Sequence, residues 1–222
     1  MKRFSAIREF SKILSESDVA IFSGKEMCKE AYQYDRPGYF YMDDSFGMSV
    51  SFALGIALCT DKRVFVFVGE GDLLRELAVL GQVAVSKCKN MFVVVLDNGG
   101  YQQAGNFPNI FDGFLSKKGV FYNMGCLVHD FTTNLKNKHL VEVKAAVERI
   151  RGPMVILVEV EKGFKKGLIN IKSKSTTRTK KLIKFVNNND IKSSLYTPPV
   201  WLASPSQEIK SINIGEITGG ND

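Results

Sequence analysis

Residues 64–72 join a strand to a turn: Val64-Phe65-Val66-Phe67-Val68 runs directly into Gly69-Glu70-Gly71-Asp72. Five consecutive apolar residues are typical of a strand that is buried on both faces, as in a parallel sheet. A second apolar run, Met91 to Leu96, ends in Asp97-Asn98-Gly99-Gly100-Tyr101. Because the carboxyl ends of parallel strands meet at one edge of a sheet, we expect the two turns to lie side by side.

Strand-like runs alternate with helical patterns through the first 163 residues, which predicts an α/β fold: a three-layer, doubly wound parallel sheet. The predicted strands are residues 19–22, 39–42, 64–68, 91–96, 120–122 and 154–160, and the predicted helices are residues 6–14, 26–34, 47–58, 73–86, 110–115 and 138–150. We expect residues 1–163 to form one domain.

The two turns carry the residue types of a metal and phosphate site. An acid and an asparagine on neighbouring strand ends, each beside glycines, can hold a divalent cation against a diphosphate. Either turn alone is an ordinary signal, since Gly-x-Gly and Asn-Gly occur in many loops. Their agreement in order, context and spacing, 28 positions from Glu70 to Asn98, favours one shared site.

The two turns resemble the diphosphate-binding half of thiamine-diphosphate enzymes, whose pattern is Gly-Asp-Gly followed, at a similar spacing, by Asn with Asn or Asp before it. The segment Leu73 to Leu80 and the upstream segment Ser45 to Leu58 are similar to the sulfopyruvate and phosphonopyruvate decarboxylase branch. The resemblance extends from Val19 to Gly163. It implies the thiamine-diphosphate-binding fold, and the main departure is Glu70, where the family almost always has Asp.

The resemblance implies two sets of binding residues. The Mg²⁺ ligands are Glu70, Asn98 and the Gly100 carbonyl; the residues expected to contact thiamine diphosphate are Asp44, Ser45, Phe46, Gly69, Gly71, Asp72, Tyr101 and Gln102. Phe46 is expected as the apolar wedge beneath the folded cofactor, with ordinary core packing as its alternative. Gly71 and Asp72 offer N–H groups to the diphosphate, and the Asp72 side chain is expected to cap the following helix.

The resemblance also implies a partner. In the family, a glutamate that activates the cofactor comes from a separate pyrimidine-binding domain, which this chain does not supply. We therefore expect a heteromer with two copies of each chain, and we assign no catalytic residue in this one. The implied activity is a lyase reaction, the decarboxylation of a short 2-oxo acid.

Three other functions stay open at this point. The chain could be a subunit of a 2-oxoacid oxidoreductase, although those proteins usually carry cysteine ligands for an iron–sulfur cluster. It could be a carboligase or transketolase-like subunit. It could also be a non-catalytic scaffold with a degenerate metal site, a hypothesis that the presence of Glu70 favours.

Composition indicates the cellular compartment and the kind of partner that we expect. The four cysteines show no Cys-x-x-Cys pair and are typical of free thiols, and Met1-Lys2-Arg3-Phe4 is not followed by an apolar leader segment, so we expect a cytoplasmic protein without a membrane span. Residues 1–161 hold 19 basic and 19 acidic side chains, whereas residues 162–222 hold 11 and 4. We expect 164–222 to be a basic extension, either an extended arm that contacts a partner subunit or a solvated tail, rather than a nucleic-acid-binding segment.

Overall fold

A single sheet of six parallel strands dominates the computed structural model, which describes residues 1–111, 116–131, 137–149 and 152–187. The strands are β1 (Val19–Ser23), β2 (Tyr39–Met42), β3 (Val64–Gly69), β4 (Met91–Asp97), β5 (Leu127–Phe131) and β6 (Met154–Glu159). Their order is β2-β1-β3-β4-β6-β5. Every strand pair is parallel, so each crossover carries the chain back along one face of the sheet. The predicted fold class is confirmed.

Helices cover both faces of this sheet. They are α1 (Arg3–Ile13), α2 (Lys25–Tyr32), α3 (Ser49–Cys59), α4 (Glu70–Leu73), α5 (Val79–Ser86), α6 (Lys117–Asn123), α7 (Asn137–Arg149) and α8 (Ser175–Asn187). A 3₁₀ turn, Leu74–Glu76, follows α4 directly. Within the described ranges, none of the helices combines the length and the apolar character that crossing a membrane requires.

The central strands divide their side chains between two cores. On β3, Phe65 and Phe67 belong to the core that includes residues of α1, α2 and α7, whereas Val64, Val66 and Val68 belong to the core that includes residues of α3, α5 and α8. All five are fully buried. This alternation is the reason that an uninterrupted apolar run reads as a central strand in a three-layer fold.

Three predicted elements differ from the structure. The strand predicted at 120–122 is wrong, because these residues lie in α6, where the Ser116 hydroxyl caps the helix by accepting from the Gly119 N–H. The helix predicted over 73–86 is divided into the end of α4, a 3₁₀ turn and α5. Most of the helix predicted over 110–115 falls outside the described residues.

The basic segment is not extended throughout. Residues Ser175–Asn187 form α8, which packs against β2, and its Leu182 is buried in the same core as Val19 and Phe40. The prediction of an extended arm is therefore wrong for this stretch, because Leu182, Phe185 and Val186 provide one apolar face at helical spacing. Residues 188–222 lie outside the described part, and the domain boundary at Gly163 stays a prediction.

Candidate functional site

The two glycine turns lie side by side at the carboxyl edge of the sheet. In the β3–β4 register, Gly69 pairs with Leu96, so Glu70 follows one strand where Asp97 ends its neighbour. The predicted meeting of the two turns is what the strand register requires, because both strands are parallel and end at the same level. The turn after β1 reaches this edge as well, since Phe22 pairs with Phe67.

Glu70 is the buried centre of this edge. Its side chain is 1% exposed. One carboxylate oxygen accepts the Gly100 N–H at 2.8 Å and the other accepts the Asn98 N–H at 3.2 Å. The Asn109 side-chain amide donates a weaker bond at 3.3 Å. The acid therefore binds the backbone of the Asn-Gly-Gly loop directly, which brings together all three residues predicted to ligate a metal.

The charge of Glu70 is poorly compensated. Burial raises the pKa of its carboxyl above the ordinary value and the Asp97 carboxylate raises it further, while the loop N–H groups partly offset this. Asp97 itself pairs with Lys117. Among the described residues, none of the ion pairs includes Glu70. A cation beside this carboxylate would remove the desolvation penalty of an isolated buried charge.

The neighbouring oxygen atoms suit a hard divalent cation. The Asn98 side-chain oxygen lies 3.2 Å from the Gly100 nitrogen, and the Asn98 amide donates to Gln102 at 3.0 Å. The Gly100 carbonyl accepts the Gln102 N–H at 3.0 Å. Carboxylate, amide and main-chain carbonyl oxygens are the ligand types that Mg²⁺ and Ca²⁺ take. The oxygen ligands therefore fit a divalent cation, although the side-chain oxygens of Glu70 and Asn98 already accept hydrogen bonds from the loop.

Asp72 is oriented differently from the expectation. Its carboxylate accepts from the Ser23 hydroxyl at the end of β1 and from the Gly47 N–H at 2.7 Å. It makes no capping bond to its own helix, so the predicted capping role is wrong. Because both oxygen atoms bind neighbouring crossovers, the carboxylate connects three loops of the site.

Glu76 fixes the start of α3, directly after the loop that carries Phe46. The Glu76 carboxylate accepts bonds from the Ser49 and Ser51 hydroxyls and from the Val50 and Ser51 N–H groups, so it caps α3 from another segment. Phe46 itself is 39% exposed, which contradicts a core-packing role, and the Arg75 guanidinium lies 5.4 Å above its ring. This arrangement leaves the Phe46 ring at the surface of the site.

A cavity of about 290 Å³ opens at this edge. Nine of the eleven predicted site residues line it: Phe46, Gly69, Glu70, Gly71, Asp72, Asn98, Gly100, Tyr101 and Gln102. Asp44 and Ser45 do not. A side chain at Gly71 would come within 2.6 Å of the Tyr101 ring, so the second glycine of the turn is a steric requirement of this cavity.

Further lining residues were not predicted. They are Arg3, Ser23, Gly24, Met27, Arg75 and Ala104, whereas Gln103, which also lines the cavity, directly follows the predicted Tyr101 and Gln102. Ser23 is the last residue of β1 and Gly24, at φ +87°, joins it to α2. This segment repeats the strand–glycine–helix order of the predicted turns and could have been found by that signal. Arg3 carries no such signal, because it reaches the cavity from α1.

Comparison with known proteins agrees with this geometry. Residues 25–158 match the family model described as "Thiamine pyrophosphate enzyme, C-terminal TPP binding domain". The chain is 35% identical over 107 residues to sulfopyruvate decarboxylase subunit beta of Methanothermobacter thermautotrophicus, a match that covers 48% of this chain and 57% of that one. It is 34% identical over 108 residues to phosphonopyruvate decarboxylase of Streptomyces viridochromogenes, covering 46% and 27%.

Solved structures support the fold alone. Benzoylformate decarboxylase from Polynucleobacter necessarius superposes with a TM-score of 0.60 at 15% identity, covering 73% of this chain and 33% of that chain. The chain therefore spans little more than half the length of the subunit beta relative and smaller parts of the others.

Proposed function

The chain belongs to the thiamine pyrophosphate enzymes through their C-terminal TPP binding domain, and we propose that it is the diphosphate-binding subunit of a split decarboxylase acting on a short 2-oxo acid. The observation that carries this proposal is the meeting of Glu70 with the Asn98–Gly100 loop inside one cavity. That cavity lies at the carboxyl ends of parallel strands, where open α/β sheets bind their ligands.

Mg²⁺ would lie against Glu70, Asn98 and the Gly100 carbonyl. Support comes from the buried Glu70 carboxylate, which has no cationic partner in the described residues, and from the oxygen donors beside it. Glu70 is one methylene longer than Asp, and its hydrogen bonds to the loop turn it toward the protein. We therefore propose weaker Mg²⁺ binding than an aspartate would give at this position.

Thiamine diphosphate would occupy the same cavity. Gly69, Gly71, Asp72, Tyr101 and Gln102 would surround its diphosphate, with Phe46 at its other end. Asp44 and Ser45 precede Phe46 outside the cavity lining, and their contact with the cofactor stays a prediction. When bound, this cofactor supplies the electron sink for removing a carboxylate from a 2-oxo acid. The chain's own contribution is positional: Asp72 and Glu76 hold the loop of Phe46, and Gly71 leaves room for the Tyr101 ring.

The relatives' names support a proposal for the substrate class. Sulfopyruvate and phosphonopyruvate are short 2-oxo acids with an anionic tail, and the relatives named for them are about one-third identical to this chain over the matched segments. We propose a substrate of this class. A cytoplasmic location is consistent with four free cysteines.

A pyrimidine-binding subunit would complete the site, with two copies of each chain. The term "subunit beta" in a relative's name supports a second chain. Surface composition supports it too: Met48 and Leu58 at the ends of α3 and Val85 of the contacting helix α5 are large apolar side chains that are exposed. Such exposure is typical of a face that another protein covers.

The test is CO₂ release by the chain coexpressed with its pyrimidine-binding partner. Sulfopyruvate, phosphonopyruvate and pyruvate are supplied with thiamine diphosphate and Mg²⁺, and we expect release from the two anionic-tail substrates. Asn98→Ala should abolish release, whereas Asn123→Ala, at the exposed end of α6, should not. Release that is equal in the wild type and Asn98→Ala contradicts the proposal.

A non-catalytic binding protein is the competing function, and one observation favours it: both Glu70 oxygens already accept bonds from the loop. In that case the chain gains no thermal stability from thiamine diphosphate and Mg²⁺, with or without the partner. A stabilisation that needs both ligands together argues for the decarboxylase subunit.

A further inference from the structure

Arg3 reaches the cavity from a part of the chain that precedes the segment matched by the family model, residues 25–158. The start of α1 is held close to the end of β6, because the Glu161 N–H donates to the Met1 carbonyl at 2.8 Å and Lys2 bridges to Glu161. Since β6 ends at the carboxyl edge of the sheet, this attachment delivers the first turn of α1 to the site.

The Arg3 side chain is held firmly at one end. Its Nε donates to Glu30 at 2.7 Å, and Glu30 is 1% exposed. The other Glu30 oxygen accepts the Lys165 N–H at 3.0 Å. Glu30 therefore fixes the guanidinium group in place without using all of its donors.

The other end of Arg3 lacks a partner. Its Nη2 atom is buried and makes no hydrogen bond to any described residue. A buried N–H donor without an acceptor is unfavourable, and it is rare in folded proteins. Arg3 lines the cavity, and an anion held there is the acceptor that the described residues do not supply to this guanidinium.

The other charged residues that line the cavity have contacts of their own. Asp72 binds Ser23 and Gly47, and Glu70 binds the Asn-Gly-Gly loop. The Arg75 guanidinium lies over the Phe46 ring. Arg3 is therefore the cation of this lining whose guanidinium retains a buried donor without a partner.

We infer that Arg3 binds an anionic group in this cavity, with Glu30 as the residue that positions it. The group is a phosphate of the cofactor or the anionic tail of the substrate, and a planar guanidinium suits either one. The identity of the anion rests on the proposed function, whereas the presence of an anion site does not.

The decisive variant is Arg3→Lys, which keeps a cation for Glu30 but removes the second arm of the guanidinium. Binding of inorganic pyrophosphate with Mg²⁺, and of thiamine diphosphate with Mg²⁺, is measured by calorimetry. If Arg3 contacts the cofactor phosphate, Arg3→Lys should weaken both about tenfold, the effect of losing one hydrogen bond to a charged group. Arg8→Gln is the matched control, because Arg8 lies on the same helix with a 52% exposed side chain.

A second measurement tests whether the bound anion is the tail of the substrate. If Arg3 contacts the substrate tail, Arg3→Lys leaves pyrophosphate affinity unchanged and raises KM about tenfold for sulfopyruvate but not for pyruvate, in the enzyme assembled with its partner. The double variant Arg3→Gln/Glu30→Gln removes both charges, avoids an unpaired buried carboxylate, and should show the same loss if Arg3→Lys folds poorly.

Two outcomes separate the inference from the proposed function. Arg3-dependent pyrophosphate binding without any thiamine diphosphate binding supports the anion site and contradicts the decarboxylase subunit. Normal cofactor binding and normal KM values in Arg3→Lys and in the double variant overturn the inference and leave the proposed function intact.

Discussion

Two buried carboxylates stand at opposite edges of the sheet, Asp18 just before β1 and Glu70 just after β3, and are compensated in opposite ways. At the amino edge, Asp18 is 2% exposed and receives two bonds from Arg63, at 2.8 and 2.6 Å, plus the Ser15 N–H. At the carboxyl edge, Glu70 receives only N–H groups and an amide. The fold completes its own charge pair where the sheet is only a scaffold, and it leaves a buried charge without a cation where we propose that a ligand binds.

Asn90 further stabilises the amino edge of the sheet. Its side-chain amide lies 3.1, 2.8 and 3.0 Å from the carbonyls of Ala57, Thr60 and Lys62. These bonds connect the end of α3 and the approach to β3 with the approach to β4. The difference between the edges predicts that substitutions at the amino edge change stability, whereas substitutions at the carboxyl edge change ligand response.

Arg63→Ala should have the largest effect on folding. It leaves Asp18 buried without its counterion, which lowers the free energy of unfolding by about 3 kcal/mol. The stabilisation by thiamine diphosphate with Mg²⁺ should be retained in size. Urea unfolding with and without ligands measures both, and Arg8→Ala on the exposed face of α1 is the control. Normal stability of Arg63→Ala would show that the pairing of Asp18 with Arg63 does not stabilise the fold.

Glu76→Ala should have the second largest effect on stability. It tests a third buried carboxylate, one whose hydrogen bonds stabilise a helix next to the site. Glu76 is buried, but its oxygens accept bonds from the start of α3. Losing this cap leaves the first N–H groups of α3 without acceptors, at about 2 kcal/mol. Thermal unfolding measures the loss, with Glu16→Ala as the exposed control. A loss no larger than in the control would show that Glu76 does not act as a cap.

The sequence predicted the centre of this fold because the signal there is local. The apolar runs of β3 and β4 are uninterrupted and end at glycine turns, so their bounds were predicted to within one residue. The meeting of Glu70 with Asn98 followed from strand order. Residues 120–122 were assigned to the wrong element because β-branched and aromatic residues favour strands, while the Ser116 cap and the buried Phe121 favour a helix.

The contacts that depend on distant segments could not be predicted. Asp72 turns toward Ser23, which lies 49 positions earlier in the chain, and no local pattern encodes that bond. Arg3 reaches the site because residues 1 and 2 attach to Glu161. Among the unpredicted residues that line the cavity, Arg3 is of this kind, whereas Ser23 and Gly24 carry a local glycine-turn signal.

Glu70→Gln should separate ligand response from stability. Glutamine keeps the shape but removes a buried charge without a cation, so unfolding should change by less than about 1 kcal/mol. The stabilisation by Mg²⁺ with thiamine diphosphate should be lost, because an amide is a poor substitute for a carboxylate ligand. Glu70→Asp should increase it, because we propose that an aspartate binds Mg²⁺ more tightly at this position. Thermal shifts measure these differences, with Glu148→Gln on α7 as control, and a full shift in Glu70→Gln would contradict the metal assignment.

The smallest expected effect is a pH dependence of the metal-free protein. Burial and Asp97 raise the pKa of Glu70, so the folded state holds its proton at pH values where the unfolded state has lost it. The resulting stability is fully present below the unfolded pKa, near 4.5, and is lost as the pH rises through the folded pKa. In EDTA, Glu70→Gln should therefore gain stability relative to the wild type as the pH rises. Urea midpoints from pH 4 to 8 measure this, and a constant difference would show that the loop N–H groups fully compensate the carboxylate. Saturating Mg²⁺ should reduce the gain, because a cation stabilises the ionised acid that the bare fold disfavours.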